Sequence, residues 1–195
     1  MGWKPPGEIE RRQCVIESTE IMRRPDIEYT EHEDLFRIEA VGLEWDIGAQ
    51  IYEPSDPSKV AVGADGKKVG VYLLSGGDGD FNTMAPVAKI LCGKFGFKVT
   101  TMTYPGRLYL DDPSRHWPGD TINPDGTIRT PQWLTGEHIT PDQYEVVKDT
   151  SIRERYGTRT VLHAKEGSTF WHRMAGWPAA FERGGIEAMT RNMPE

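Results

Sequence analysis

The run 35–52 carries apolar residues at Leu35, Phe36, Ile38, Val41, Leu43, Trp45, Ile47 and Ile51, and the run 12–20 mixes Cys14, Val15 and Ile16 with polar residues. Near-alternation of this kind predicts antiparallel strands with one wet face in both places. Pro54, Pro57, Gly63 and Asp65-Gly66 then crowd 52–68 with turn formers, which predicts a surface loop. From Val69 the texture changes. Val69 to Leu74 is a continuous apolar run flanked by Lys68 and Ser75, the pattern of a central parallel strand covered on both faces. Met84, Val87, Ala88, Leu91, Cys92 and Phe95 recur at three- and four-residue steps, and Gly96 stands where a helix would end. Phe97 to Tyr104 supplies β-branched and aromatic residues up to Pro105-Gly106, completing a strand, helix, strand unit.

The second half is less regular. Asp112-Pro113, Trp117-Pro118-Gly119, Asn123-Pro124-Asp125-Gly126 and Thr140-Pro141 predict a long irregular excursion over 107–140. Residues 141–195 read as mainly helical, interrupted at Gly157, Gly167, Gly176, Pro178 and Gly184-Gly185. The whole is a single α/β domain or part of one, with its sheet core in 12–107. Trp117, Trp133, Trp171 and Trp177 gather in this half, where core packing is the expectation and a pocket lining the alternative.

Composition narrows the function. The chain has 195 residues, enough for a substantial core, and its 23 Lys+Arg against 30 Asp+Glu give a net charge of −7. No global positive field exists to gather nucleic acid or anionic lipid, and no stretch is apolar for long enough to span a membrane. The two cysteines, Cys14 and Cys92, are far apart and fit no disulfide framework or metal-ligand spacing, which suits reduced thiols in a cytoplasmic protein. No cofactor and no metal is expected.

The candidate chemistry lies in Ser75-Gly76-Gly77-Asp78-Gly79-Asp80, at the carboxyl end of the predicted parallel strand, where open α/β sheets bind ligands. Glycines there leave backbone N–H groups free to face a developing oxyanion; a plain strand-to-helix turn capped by Asp80 is the structural alternative. A dinucleotide fingerprint fits poorly. Asn82 occupies the third glycine's place, and Asp78 and Asp80 would repel a pyrophosphate. A P-loop is absent, and Asp78-Gly79-Asp80 lacks the further carboxylates of a calcium loop.

The order of antiparallel opening strands, Val69–Leu74, Ser75-Gly76-Gly77-Asp78-Gly79, the 84–95 helix and the strand ending in Tyr104-Pro105-Gly106-Arg107 resembles the N-terminal half of an α/β-hydrolase. The resemblance covers about residues 12–107. In that family the corresponding turn commonly reads His-Gly-x-x-Gly; here Gly76 and Gly79 match its glycines, Gly77 falls at the oxyanion-donor position with Asp78 beside it, and Ser75 replaces the His. It implies a mixed sheet, incomplete relative to the family, and hydrolysis of an ester, amide or related acyl bond. Backbone donors at Gly77 and Asp78 would serve catalysis, and Ser75, Gly76, Gly79, Arg107 and His116 would border the substrate.

No Gly-x-Ser-x-Gly elbow follows. Ser168, in Glu166-Gly167-Ser168-Thr169-Phe170, is the nearest imitation, but Glu166 and Phe170 are bulky where a sharp elbow needs small residues, so a loop or helix-cap serine is the alternative. His163 and His172 precede any further serine that could serve, whereas the family's His comes last. The expectation is therefore a hydrolase or hydrolase subunit whose nucleophile comes from outside this chain. A non-catalytic small-molecule-binding or interaction subunit is the alternative. A sheet ending at its fourth strand would expose an apolar edge, which predicts a protein partner or self-association.

Overall fold

The computed structural model describes residues 7–75, 81–106, 130–149 and 159–194. Two sheets and three α-helices form in these stretches. α1 (Glu8–Arg23) comes first, and it corrects the strand expected over 12–20. Nothing in 8–23 breaks a helix, and Arg12 pairs with Glu8 at 2.6 Å and Gln13 with Glu17 at 2.9 Å, one turn apart each time. Val15-Ile16 mimicked a strand only because β-branched pairs are common there. None of its residues is buried, so α1 stands apart from the core.

Antiparallel strand was predicted for the run 35–52, and the structure divides that stretch between two strands, β1 (Tyr29–Ala40) and β2 (Leu43–Pro54), which form a hairpin in register from Tyr29 opposite Pro54 to Ala40 opposite Leu43. Val41 (φ 52°) and Gly42 (φ 74°) close it, both left-handed as a two-residue hairpin turn of the right twist requires. The predicted loop follows, with a 3-10 turn at Pro57–Lys59 that Asp56 caps by accepting from Ser58 N–H at 2.9 Å.

β3 (Gly70–Leu74), α2 (Ala85–Phe95) and β4 (Lys98–Met102) form the predicted strand, helix, strand unit, with β3 and β4 parallel from Gly70 opposite Lys98 to Leu74 opposite Met102. Gly96 ends α2 at φ 73°, where a Cβ would also overlap the Lys59 carbonyl. The sheet order is β1-β2-β4-β3. β4 inserts antiparallel against β2, so the strand read as central lies at the end of the described sheet, paired on one side with β4. The fold class is α/β with a mixed sheet containing one parallel pair.

Alternate side chains along β2 and β4 serve opposite faces. Tyr52 and Val99 pack with Ala88 and Cys92 of α2 on one face. Phe36, Ile38, Trp45, Ile47, Ala49, Ile51 and Met102 form the larger core on the other, beneath α3 (Thr169–Asn192). Two corrections fall in this second half. β5 (Tyr144–Asp149) and β6 (Arg159–Ala164) make an antiparallel pair where helix was expected, and Gly176, Pro178 and Gly184-Gly185 lie inside α3 and do not interrupt it. The glycines are contact points: a Cβ at Gly184 would come within 3.1 Å of Ile47 Cδ1, so the missing side chain lets the helix settle on the sheet.

Trp133 is fully buried, edge-on to Trp45 at 6.0 Å and tilted against Phe170 at 5.5 Å, as core packing predicted; Trp177 is half-buried, Trp171 is exposed, against that expectation, and Trp117 lies outside the described residues. Arg173 reaches into the same region. No described helix is long and apolar enough to cross a membrane.

Candidate functional site

The carboxyl ends of β3 and β4 meet at one edge of the α3 face. β3 ends at Leu74, and Ser75 follows it, 5% exposed, with its Oγ unpaired among the described residues. A buried hydroxyl without a partner is uncommon, because desolvation costs about 1–3 kcal/mol when no hydrogen bond replaces water. The backbone of Ser75 is held from the neighbouring strand end, where Tyr104 Oη donates to the Ser75 carbonyl at 2.5 Å.

Tyr104 continues into an aromatic wall. Its ring stacks on Phe181 of α3 at 5.1 Å and 29°, and Phe181 stacks on Trp177 at 5.3 Å and 9°. Trp177 Nε1 donates to the Pro105 carbonyl at 3.0 Å, so the helix is tied to the same turn that ends β4. All three rings are half-buried. Behind them Tyr72 donates to Met102 Sδ at 3.2 Å, and a Cβ at Gly185 would lie 3.3 Å from Tyr72 Oη. Burial, and then the neighbouring Tyr104, push the Tyr72 phenol well above its ordinary value, so it is a neutral donor throughout the physiological range.

Of the residues singled out in the sequence, Ser75 stands at this site. Gly76, Gly77, Asp78, Gly79, Arg107 and His116 lie outside the described residues. Ser168 is elsewhere: it is the N-cap of α3, accepting from Trp171 N–H at 3.1 Å and donating to the Lys165 carbonyl at 2.6 Å. Among the described residues no His side chain is hydrogen-bonded to a Ser hydroxyl or a Cys thiol, and no group of three or more His, Cys, Asp or Glu is placed to hold a metal ion. His163 and His172 are exposed. Cys92 is buried in the α2 core, where desolvation, and then Glu53 and Glu31, push its thiol up to about 12.

Sequence reasoning named Tyr104 only as the end of a strand and passed over Phe181. The signal was the Trp177 and Phe181 pair, four residues apart and so on one helix face, but Gly176 and Pro178 read as breaks. Comparison with protein-family models, with curated proteins and with solved structures finds no match to this chain.

Proposed function

We propose that the chain is a hydrolase, or a hydrolase subunit, of α/β-hydrolase type that acts on an ester, amide or related acyl bond, with its nucleophile supplied from outside this chain. The observation that supports the reading is the parallel β3, α2, β4 crossover, which has Ser75, the residue that opens the glycine-rich sequence, at the carboxyl end of β3. In hydrolases of this type the turn between the third strand and the first helix supplies an oxyanion-hole N–H. Gly77, with Asp78 beside it, occupies that sequence position. Backbone donors suit the task because they are fixed before the oxyanion forms and need not reorganise.

The alternative is a non-catalytic unit that binds a small molecule at the same strand ends. It draws support from the lack of any Ser–His or Cys–His hydrogen bond among the described residues and from Ser168 serving as a helix cap. Both readings retain a protein partner or self-association, since β3 ends the described sheet and carries no charged residue.

A fluorophosphonate serine probe separates them. It is applied to the purified chain and to an extract of its source, and the intact mass of each labelled species is read. The hydrolase reading expects a labelled protein that co-purifies with an unlabelled copy of this chain. Labelling of the chain itself would place the nucleophile within it, with Ser168→Ala as the first variant to try. No label on the chain or on anything bound to it would leave the binding unit.

A further inference from the structure

The aromatic residues of this fold fall into two groups that differ in geometry. Trp45, Trp133, Phe170 and Tyr144 are buried, and their rings meet edge-on or strongly tilted, at 80°, 45° and 87°. Such crossing is how rings interlock when they fill a core. Tyr104, Trp177 and Phe181 are half-buried, and Phe181 stacks on both of the others, at 9° on Trp177 and 29° on Tyr104, while Tyr104 and Trp177 are tilted at 35°. Stacked rings share one orientation, and a further flat ring can lie against them in the same way.

The second group is also held rigidly. The phenol of Tyr104 and the indole N–H of Trp177 are both spent on backbone carbonyls, Ser75 and Pro105, at the ends of the two parallel strands. The Trp177 indole cannot turn without losing its bond, and the phenol bond pins the tip of Tyr104, so both side chains are anchored before any ligand arrives, which spares part of the ordering cost of binding. Ser75, whose carbonyl Tyr104 holds, is buried, and its Oγ has no hydrogen-bond partner among the described residues. An apolar, aromatic lining with one or two fixed polar groups is the ordinary make-up of a small-molecule site.

We infer that Tyr104, Trp177 and Phe181 bind a flat, uncharged aromatic ring of the substrate, with Ser75 Oγ bonding to a polar group the ring carries. The inference rests on the proposed acyl-hydrolase reading for what that polar group is, an aryl ester or aryl amide. The binding itself needs no catalysis.

The test is calorimetric titration of the full chain with 2-naphthamide and with its fully saturated bicyclic counterpart, which keeps the amide but loses the π face. The aryl amide is expected to bind about ten-fold more tightly. Phe181→Leu and Trp177→Leu should each erase most of that preference, while Trp177→Phe retains it. Ser75→Ala should weaken both amides to a similar extent. Two leucine variants are used so that a folding failure in one, visible by circular dichroism, leaves the other to decide. Equal affinity for the two amides, no binding of either, or a preference unchanged in the folded leucine variant overturns the inference. Tighter binding of tetramethylammonium than of 2-naphthamide also overturns it, marking a cation cage in its place. Aryl preference with no fluorophosphonate-labelled partner supports the aromatic site and removes the hydrolase reading; a labelled partner without aryl preference does the reverse.

Discussion

Val41, at the tip of the β1–β2 hairpin, packs over Gly176 of α3, so closely that a Cβ on the glycine would lie 2.5 Å from Val41 Cγ2. The valine holds φ 52° to do so and is still 61% exposed. A β-branched residue in the left-handed region costs about 1–2 kcal/mol, and little burial offsets it here. Asparagine tolerates that conformation and, before Gly42, makes the favoured two-residue turn. Val41→Asn should therefore raise the melting temperature by about 2–4 °C, for a gain of about 1 kcal/mol. Gly176→Ala should lower stability by about 1–3 kcal/mol through overpacking against Val41 and Trp45. A thermal scan of both variants checks the pair; a destabilised Val41→Asn would mean that the valine contact outweighs its strain.

Arg173 is buried with its guanidinium 4.8 Å above the Trp45 ring. It donates to the Glu44 carbonyl and to Glu137 Oε1, leaving Glu137 Oε2 buried without a partner. Glu137 keeps some contact with solvent, so removing its partner costs less than the roughly 3–5 kcal/mol of a fully buried pair, about 2–3 kcal/mol. Arg173→Ala should lose about that much in urea unfolding. Arg173→Lys should recover only part, because an ammonium cannot span Glu44 and Glu137 or lie flat on the indole. Full recovery by lysine would show that charge alone matters.

Asp34 of β1 receives Nε and Nη2 of Arg191 at 2.9 and 3.2 Å and Asn192 Nδ2 at 3.2 Å. The Arg191 hydrogen bonds hold its carboxyl below the ordinary value of 3.8, with burial opposing and Asn192 assisting. A carboxyl with a lowered folded-state pKa stabilises the fold fully above 3.8, and that contribution disappears as the pH falls from there through the folded-state value. The stability of the native chain should thus drop more steeply below pH 3.8 than that of Asp34→Asn. Chemical denaturation at a series of pH values from neutral downward reads this directly, and parallel curves would exclude the linkage.

The two cysteines should separate cleanly in reactivity. Cys14 is exposed on α1, whereas Cys92 is buried and its thiol is pushed up to about 12. The thiolate is the nucleophile, so iodoacetamide at mildly alkaline pH should add once to the native chain, at Cys14, and twice after denaturation. Rapid double addition to the native chain would mean that α2 lifts from the sheet on the labelling timescale.

The β3, α2, β4 unit was legible because each signal was local. A continuous apolar run, a three-and-four periodicity and Gly96 each occupy a few adjacent residues, and the chain obeys them at Gly70–Leu74, Ala85–Phe95 and Lys98–Met102. Strand character over 35–52 was legible for the same reason, but the Val41-Gly42 turn that divides it into β1 and β2 was not. α1 was misread because Val15-Ile16 outweighed a run that lacks any breaker. Ser75's position after an apolar strand was legible, while the aromatic cluster near it was not, since Tyr104, Trp177 and Phe181 are up to 77 positions apart and meet only when α3 lies on the sheet.

The sequence alone determined the α/β class and the parallel crossover, because hydrophobic period and turn chemistry act between near neighbours. Tertiary structure decided the rest. It put β4 between β2 and β3, made Gly176 and Gly184 contact points inside a continuous α3, and stacked Tyr104 on Phe181 beside Ser75. Those outcomes depend on which surfaces exclude water together. A glycine in a helix weakens it by about 1 kcal/mol, and the packing it permits against Ile47 or Trp45 can outweigh that only once the sheet is there to be packed against.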